Sequence, residues 1–408
     1  MFLFPINRVP DEMNHARMTW ETIHKQTENS FKWMDEIPSN DKVKPREYKQ
    51  LLARKIEMKN EPFKFGISLK TISFLPQLIG MTIGSWISPS VGMIIYMGRI
   101  FNALAYILGL YFLIRYFKYG KTALMFISLL PIMVQQASSL SYDVMNYLEV
   151  MLAFGFITNL AYSKRFTNRN FVQVIGLAIL LLATKPNNIL LLGLIPFVSF
   201  EFKGVLKVLN RPFKSLKIIV SRYKFVFYLL LLITIGFILQ FLMRNEGGLV
   251  HYIHVLLNTL VNARQNGDLN SILTIGVFGY LGNFTLQLPL WLIFIDIAVL
   301  VLIFLANEKD FFSKDFSIFA AWLFPIQVLA TVTVMYLQWT PIVLGHGASV
   351  SVGSQGRYFT PFLILFLPLV ANLGNFEISQ NKVLKISTIT LLVNFLISIF
   401  LIIPFYWM

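Results

Sequence analysis

Cysteine is absent from this chain, which excludes disulfide bonds and metal sites built on thiolates. Charged residues are scarce: they make up 13% of the 408 residues, against about 25% in soluble domains. The strand-like alternation of a membrane β-barrel is also missing. The missing alternation argues against an outer-membrane barrel, and the scarcity of charge indicates that most of the chain lies in a lipid bilayer.

Apolar residues are correspondingly frequent: 56% of the chain is hydrophobic and the mean hydropathy is +0.64. Runs of about 20 apolar residues, each long enough to cross a bilayer, recur from about residue 66 to the C-terminus. We therefore predict an all-α, polytopic membrane protein with about nine to eleven membrane segments, including broken or re-entrant hairpins. Residues 1–64 are predicted to be an outer-face loop with interfacial helices, and residues 65–408 a multi-span domain.

The net charge of +15 indicates topology and not nucleic-acid binding, because Lys and Arg in short loops hold those loops on the cytoplasmic side. Residues 115–121, 163–170 and 203–224 are the basic loops. The last of them is interpreted as a topology signal on the anionic leaflet. With these loops inside, Asp143 and Lys185 fall on the outer face. No nucleic acid is expected as a partner.

The same orientation determines which segments must cross the membrane and which must turn back. Residues 65–88 must enter the membrane and return, and we predict a break near Pro76 or at Gly80 or Gly84, since proline and glycine are usual causes of kinks. Residues 122–139, 145–162 and 358–373 are predicted to be single spans. Residues 171–202 are predicted to form a short hairpin with Lys185 at its tip. A polar segment that faces outward normally follows a helix, so we also expect a leading helix before residue 1.

Residues 8–16 place two adjacent carboxylates, Asp11 and Glu12, and the imidazole of His15 at the start of the polar segment. Neighbouring carboxylates beside a bilayer can act as a general base or hold a metal ion. The alternative is an ordinary surface turn that begins a solvated helix. The positions of the other charged residues are needed to choose between these interpretations.

Further ionisable residues lie at the ends of spans or within them. Placing an ionisable side chain in a membrane costs free energy, so such residues by default indicate function. Each also has a structural interpretation. Arg99 is also explained as an arginine that extends its charge to the membrane surface, Asp143 as part of a polar turn, and Lys185 as an interfacial residue at a helix break. Arg357 is also explained as part of an ordinary helix start, in which the neighbouring aromatic residue anchors the helix at the membrane interface.

Taken together, five short motifs resemble a family, the predicted bacterial membrane proteins called domain of unknown function 2142. The motifs occur in the family's order across nearly the whole chain, which makes the combination specific. They are Pro10-Asp11-Glu12 with His15, Gly98-Arg99 with Asn102, Ser141-Tyr142-Asp143, Lys185-Pro186, and Gln355-Gly356-Arg357-Tyr358 with Pro361.

That family is similar to the GT-C glycosyltransferases, and the resemblance implies a function. It implies transfer of a sugar from a polyprenyl-phosphate donor to an envelope polysaccharide or glycolipid, at the outer face of a bacterial cell membrane. Asp11, Glu12 and Asp143 would be the catalytic residues, with a divalent cation such as Mg²⁺ or Mn²⁺ as a further expectation at the same three side chains. The implied substrate-binding residues are His15, Arg99, Asn102, Lys185, Gln355, Arg357 and Tyr358.

Two other functions are compatible with the same residues. A transporter or flippase for an envelope lipid or glycan would use the cations to bind a phosphate headgroup without any chemistry. Transporters often contain internal repeats with paired broken helices, and no such repeat is visible here, although residues 65–88 and 171–202 keep this alternative open. The other possibility is an assembly factor without catalytic activity.

Overall fold

A computed structural model describes residues 3–28, 30–39, 42–64, 66, 68–262, 272–273, 275–373 and 378–408. Of the residues described, 72% are helical, which confirms the predicted all-α class. Within the described residues, the strands form two short pairs. They are β1 (Arg165–Phe166) parallel to β2 (Glu201–Phe202), and β3 (Tyr280–Leu281) antiparallel to β4 (Leu286–Gln287).

The N-terminal segment shares a small hydrophobic core with the two helices that follow it. Trp20 is fully buried there, and its indole N–H donates to the Glu61 carboxylate over 3.1 Å. The backbone N–H of Ile56 donates to the carbonyl of Pro89 over 2.7 Å, which ties the segment to the turn between the next two helices. Its helices are α1 (Glu12–Trp20), α2 (Lys32–Asp35), α3 (Pro45–Ala53) and a 3₁₀ turn, Met58–Asn60.

Helices α4 (Thr71–Ile87) and α5 (Val91–Tyr116) form an antiparallel pair. Their backbones approach closely at Gly80, where an added Cβ would lie 2.3 Å from the carbonyl oxygen of Met97. The predicted break near Pro76 or the two glycines is wrong, and so is the predicted return within residues 65–88, because α4 runs through all three positions without interruption. Proline removes one hydrogen bond of the helix, here in its second turn, and close packing on α5 holds the remaining turns in place.

The predicted single span over residues 122–139 is also wrong. Two short helices stand there, α6 (Lys121–Ser128) and α7 (Pro131–Ala137), and they are followed by the long α8 (Asp143–Ser163). The break lies at Leu130, whose φ and ψ of −57° and 142° are not helical. A residue before proline is driven out of the helical region by contact with the proline ring, so the sequence Leu130-Pro131 ends α6 and starts α7.

The predicted hairpin over residues 171–202 is present. Its first arm is α9 (Asn168–Thr184), and its second arm is a 3₁₀ helix, Pro186–Phe197. The pairing of β1 with β2 brings the base of both arms to the end of α8. Lys185 therefore lies at the tip of the hairpin, at the level of the first turn of α8.

The C-terminal half completes the bundle, and its helices differ widely in length. The predicted single span over residues 358–373 is wrong: two 3₁₀ segments precede a short α17, and Pro361 and Pro368 cannot donate the hydrogen bonds of a continuous α-helix. The elements are α10 (Asn210–Arg222) after a 3₁₀ helix (Gly204–Leu209), α11 (Lys224–Leu242), α12 (Gly248–Leu260), α13 (Ile275–Phe278), α14 (Leu290–Leu305), α15 (Lys314–Gln338), α16 (Thr340–Leu344), 3₁₀ segments Gly356–Tyr358 and Thr360–Phe366, α17 (Leu367–Leu373) and α18 (Gln380–Trp407).

Four helices in the described part of the chain are long and apolar enough to cross a membrane, and seven shorter apolar helices accompany them. The four long helices are α5, α8, α15 and α18. The set supports a multi-pass membrane protein, as the sequence predicts.

The basic loops meet at one end of the bundle. The backbone N–H of Lys118 donates to the side chain of Asn159 near the end of α8, and the Tyr119 hydroxyl donates to the carbonyl of Glu308, each over 3.1 Å. The β1–β2 pair adds residues 163–166 and 201–203 to the same end. Asp143 and Lys185, which the sequence places on the face opposite the basic loops, lie toward the other end of the bundle. These residues and the basic loops are therefore separated along the bundle axis.

Candidate functional site

Four charged side chains from four separate elements meet at the end of the bundle away from the basic loops. They are Asp11 before α1, Asp143 at the start of α8, Lys185 at the hairpin tip and Arg357 in the 3₁₀ turn Gly356–Tyr358, and we call them the charge cluster. Arg357 bridges the two carboxylates: its Nη2 lies 2.7 Å from Asp11 Oδ2 and its Nε lies 3.1 Å from Asp143 Oδ2. Lys185 Nζ lies 2.8 Å from Asp143 Oδ1.

Local backbone geometry brings the first and last members of this cluster together. Asp11 has a φ of 61°, in the left-handed region, which Asp tolerates better than most residues, and this turn leads directly into α1. Gly356 lies so close to Gly276 of α13 that an added Cβ would be 2.1 Å from its carbonyl carbon. Only glycine fits there, and the close approach sets the position of Arg357 next to it.

The two carboxylates differ in accessibility. The side chain of Asp143 is fully buried, whereas that of Asp11 is 31% exposed. Both hydrogen bonds to Asp11, from Arg357 and from Gln355 Nε2 at 3.0 Å, end on Oδ2, and no described residue bonds Oδ1. Asp11 therefore presents one carboxylate oxygen to a substrate while the other is held in place.

Aromatic rings enclose the lysine of the cluster. Lys185 Nζ lies 3.7 Å from the ring centroid of Tyr358 and 5.4 Å from that of Tyr142. The edge-to-face contact of His15 with Tyr142, at 4.5 Å between centroids, extends this wall toward α1. Aromatic faces attract cations, so the wall fixes the ammonium and shields it from water.

Three buried polar atoms beside the cluster have no hydrogen-bond partner among the described residues. They are Arg357 Nη1, His15 Nδ1 and Gln355 Oε1. Buried polar atoms are nearly always satisfied by protein, water or ligand. Two of these three side chains are bonded to Asp11 directly, so the unsatisfied atoms mark a place where a polar ligand would fit against that carboxylate.

Burial and the neighbouring charges set the protonation of Asp11. Burial raises the pKa of its carboxyl group, but the Arg357 guanidinium lowers it by charge and by hydrogen bonding, and the net shift is downward from the ordinary value. Asp11 is therefore ionised at neutral pH and able to accept a proton.

His15 shows the opposite balance. Burial lowers its pKa to about 4, and the negative charges of Asp143 and Asp11 offset this only in part. The imidazole is consequently neutral at physiological pH. It contributes a neutral donor or acceptor to the site and no positive charge.

The pKa of His15 predicts a pH-dependent stability. Between about pH 6.5 and pH 4 the unfolded chain binds a proton at His15 that the folded protein does not bind, so stability falls as the pH falls through this range. We expect the drop in melting temperature from about pH 7 to about pH 5 to be smaller in His15→Gln than in the wild type. The exposed His254 on α12 provides the control, and an equal change in His254→Gln would contradict this assignment.

Glu12 and Arg99 form a second ion pair, separate from the charge cluster. Both side chains are fully buried, and the guanidinium Nε and Nη2 each lie 2.7 Å from one carboxylate oxygen. Arg99 also donates to the carbonyls of Phe4 and Pro5, and Glu12 accepts the backbone N–H of Asn7. This pair fixes the chain that leads to Asp11.

Asn102 lies one turn from Arg99 on α5 and plays a similar part. Its Nδ2 donates to the carbonyls of Ser139 and Ser141 over 2.8 and 2.9 Å. These bonds hold the loop that ends at Asp143.

The predicted site residues fall into two groups. Asp11, His15, Asp143, Lys185, Gln355, Arg357 and Tyr358 meet at one place, while Glu12, Arg99 and Asn102 are buried behind them.

The divalent metal expected at Asp11, Glu12 and Asp143 does not fit this arrangement. Glu12 is bonded to Arg99, and the other two carboxylates already pair with Arg357 and Lys185. In the described part of the chain no group of three His, Asp or Glu side chains is placed to hold a metal ion.

Tyr142 is a site residue that sequence reasoning did not select. It sits between His15, Lys185 and Phe74, with centroids 4.5 and 5.6 Å from the two rings. The available signal was its position beside Asp143 in the Ser-Tyr-Asp motif. An aromatic residue in a membrane protein is so common that its identity alone carries little information.

Comparison with known families gives one result. A family model for predicted membrane proteins, DUF2142, matches residues 1–366. No curated protein and no solved structure matches this chain. All the motifs that meet at or behind the charge cluster lie within the matched residues. The chain belongs to the DUF2142 family of predicted membrane proteins.

Proposed function

We propose that this protein is a membrane glycosyltransferase that moves a sugar from a polyprenyl-phosphate donor to a cell-envelope polysaccharide or glycolipid. The observation that carries the proposal is the pairing of an accessible carboxylate oxygen, Asp11 Oδ1, with a buried guanidinium whose Nη1 has no partner among the described residues. An acceptor hydroxyl and a phosphate need these two groups side by side.

The reaction is a single displacement at the anomeric carbon. Asp11 takes the proton of the acceptor hydroxyl while the acceptor oxygen forms its bond to that carbon. The bond from the anomeric carbon to the phosphate oxygen breaks at the same time, and its electron pair leaves with the polyprenyl phosphate. One displacement inverts the configuration of the sugar, and no covalent sugar–enzyme intermediate is needed.

The cations of the cluster suit the leaving group. Arg357 reaches it with Nη1, which has no hydrogen-bond partner among the described residues, while Nε and Nη2 hold Asp143 and Asp11. Lys185 adds a second positive charge next to Asp143. Fixed, desolvated cations stabilise the negative charge that develops on a departing phosphate without having to reorganise during the reaction.

The proposed orientation follows from the basic loops. They lie at the end of the bundle opposite the charge cluster, and the positive-inside rule assigns that end to the cytoplasm. The site then faces outward from a bacterial cell membrane, where envelope acceptors are found. Asp143 serves in this scheme as the buried counter-charge that holds Lys185 and Arg357 together.

A transporter of a lipid-linked glycan is the second candidate, and the hairpin favours it. Lys185 sits at the tip of two incomplete helices, and transporters place substrate sites at such breaks. The two functions differ in where the lipid-linked donor accumulates when the protein fails. A failed enzyme leaves the donor on the outer leaflet, whereas a failed transporter leaves it on the inner leaflet.

The test uses cells that carry the wild-type protein or Asp143→Asn at matched expression. We expect Asp143→Asn to lose a sugar from the envelope polymer and to accumulate a lipid-linked donor that a membrane-impermeant oxidant can reach, because one carboxylate of the cluster no longer neutralises Lys185 and Arg357. Asp296→Asn is the matched control: this buried aspartate accepts a 2.6 Å bond from Asn394, far from the cluster in sequence. An unchanged polymer in Asp143→Asn cells would contradict the proposal, and a protected donor would favour the transporter.

A further inference from the structure

The most basic segment of the chain has a defined structure that a topology signal does not require. Residues 203–224 carry seven cations and no acidic residue. The chain forms a 3₁₀ helix, Gly204–Leu209, followed without a gap by α10, Asn210–Arg222. We call residues 204–222 the basic element.

Specific contacts fix the basic element on the bundle. The ring of Phe213 packs on the rings of Phe200 and Phe202, with centroids 5.5 and 5.3 Å apart. The side chain of Asn210 both accepts from the backbone N–H of Phe202, over 2.8 Å, and donates to its carbonyl. The element therefore has a set orientation relative to the membrane helices.

Its position is at the membrane boundary. The preceding strand β2 pairs with β1, directly after the end of α8, which is one of the four helices long enough to cross a bilayer. The apolar α11 begins two residues after α10 ends. The basic element thus connects the ends of two membrane helices, at the same end of the bundle as the other basic loops.

The exposed surface of the basic element has two faces. Pro212, Leu216 and Ile219 follow each other at helical spacing and are exposed, with Leu216 at 58% and Ile219 at 54%. Arg211, Lys214 and Arg222 are exposed on the other side of the helix, together with one apolar side chain, Ile218. Val205 and Val208 of the 3₁₀ helix add two more exposed apolar side chains.

We infer that the basic element binds the headgroups of anionic phospholipids. An amphipathic helix in the plane of the interface buries its apolar face among acyl chains and directs its cations to lipid phosphates. Exposed apolar and basic faces on one anchored helix, at the level where the spans end, match this partner in charge and in polarity. The inference is independent of the reaction proposed for the charge cluster, which lies at the other end of the bundle.

The experiment uses full-length protein in a neutral detergent, titrated with fluorescent phosphatidylglycerol or phosphatidylcholine. Wild type should prefer phosphatidylglycerol, and raised salt should weaken this binding alone. Arg211→Gln/Lys214→Gln/Arg222→Gln should bind phosphatidylglycerol about tenfold or more weakly, since each surface cation contributes roughly fivefold. Lys25→Gln/Lys64→Gln/Lys70→Gln removes the same charge from the exposed N-terminal region and should leave the affinity within about twofold.

Several results would overturn the inference. Equal affinity of the wild type for the two lipids would do so, as would equal losses in both triple variants. Displacement of phosphatidylglycerol by inorganic phosphate at matched ionic strength would show that the element binds free phosphate instead. If the triple variant does not fold, Arg211→Gln, Lys214→Gln and Arg222→Gln are measured singly, and each should weaken phosphatidylglycerol binding roughly fivefold. A wild-type preference that salt does not weaken would also overturn the inference, because it is not electrostatic.

Discussion

Asp11→Asn is expected to reduce sugar transfer by a factor of about 100 or more while the protein remains folded. The amide keeps the shape of the side chain and an oxygen for the bonds from Arg357 and Gln355, so the position of residue 11 is preserved. It cannot accept a proton from the acceptor hydroxyl, however. The loss should appear in the rate at saturating donor more than in donor binding, because a general base acts in the transition state.

The measurement is transfer by purified, full-length protein reconstituted in liposomes with the lipid-linked donor of the host cell. Asp35→Asn is a matched control, since it makes the same substitution in the same segment, at an exposed carboxylate bonded to Arg17 over 3.0 Å. We expect the control to retain wild-type activity. Full activity of Asp11→Asn would exclude this carboxylate as the base and would leave binding or transport as the role of the cluster.

The sequence predicts the composition of the site better than its layout. The order of the motifs and the positions of the basic loops were enough to expect Asp11, Asp143, Lys185 and Arg357 on one face. The bridging role of Arg357 was not predictable, because it depends on contacts between residues 346 positions apart. No local pattern records which carboxylate an arginine reaches after the chain has folded.

Adjacent residues show the same difficulty more sharply. Asp11 and Glu12 looked equivalent in the sequence, yet one side chain is 31% exposed and the other is fully buried. The left-handed conformation of Asp11 turns the chain just before α1, so the two side chains point to different neighbours. The two side chains leave the chain in different directions and meet different partners, and composition does not reveal which partner each one meets.

Helix breaks were predicted in the wrong places for a related reason. Runs of apolar residues show where the chain lies in lipid, but proline has different effects in different positions. Pro76 falls within α4, which packs along α5 and continues, whereas Pro131 is the first residue of α7 and follows a break at Leu130. Packing decides between these outcomes, and it becomes visible only in three dimensions.

Glu12→Gln is expected to destabilise the protein by about 3–5 kcal/mol, the usual cost of leaving a buried charge without its partner. Arg99 would keep its positive charge in a place with no exposed surface. We expect a lower melting temperature and less protein in the membrane. Glu36→Gln removes the partner of Arg54 at an exposed pair and should cost less than about 1 kcal/mol.

A double substitution distinguishes a structural role of Glu12 from a catalytic one. Removing both charges, in Glu12→Gln/Arg99→Met, should restore part of the lost stability, because the uncompensated charge disappears. Recovery should be incomplete, since the carbonyls of Phe4 and Pro5 lose their donor. The double variant should then regain transfer in proportion to its folded fraction. A Glu12→Gln protein that is as stable as the wild type but inactive would contradict this prediction. Glu12 would then be a catalytic residue, because a loss of rate without a loss of stability indicates that the side chain acts on the substrate.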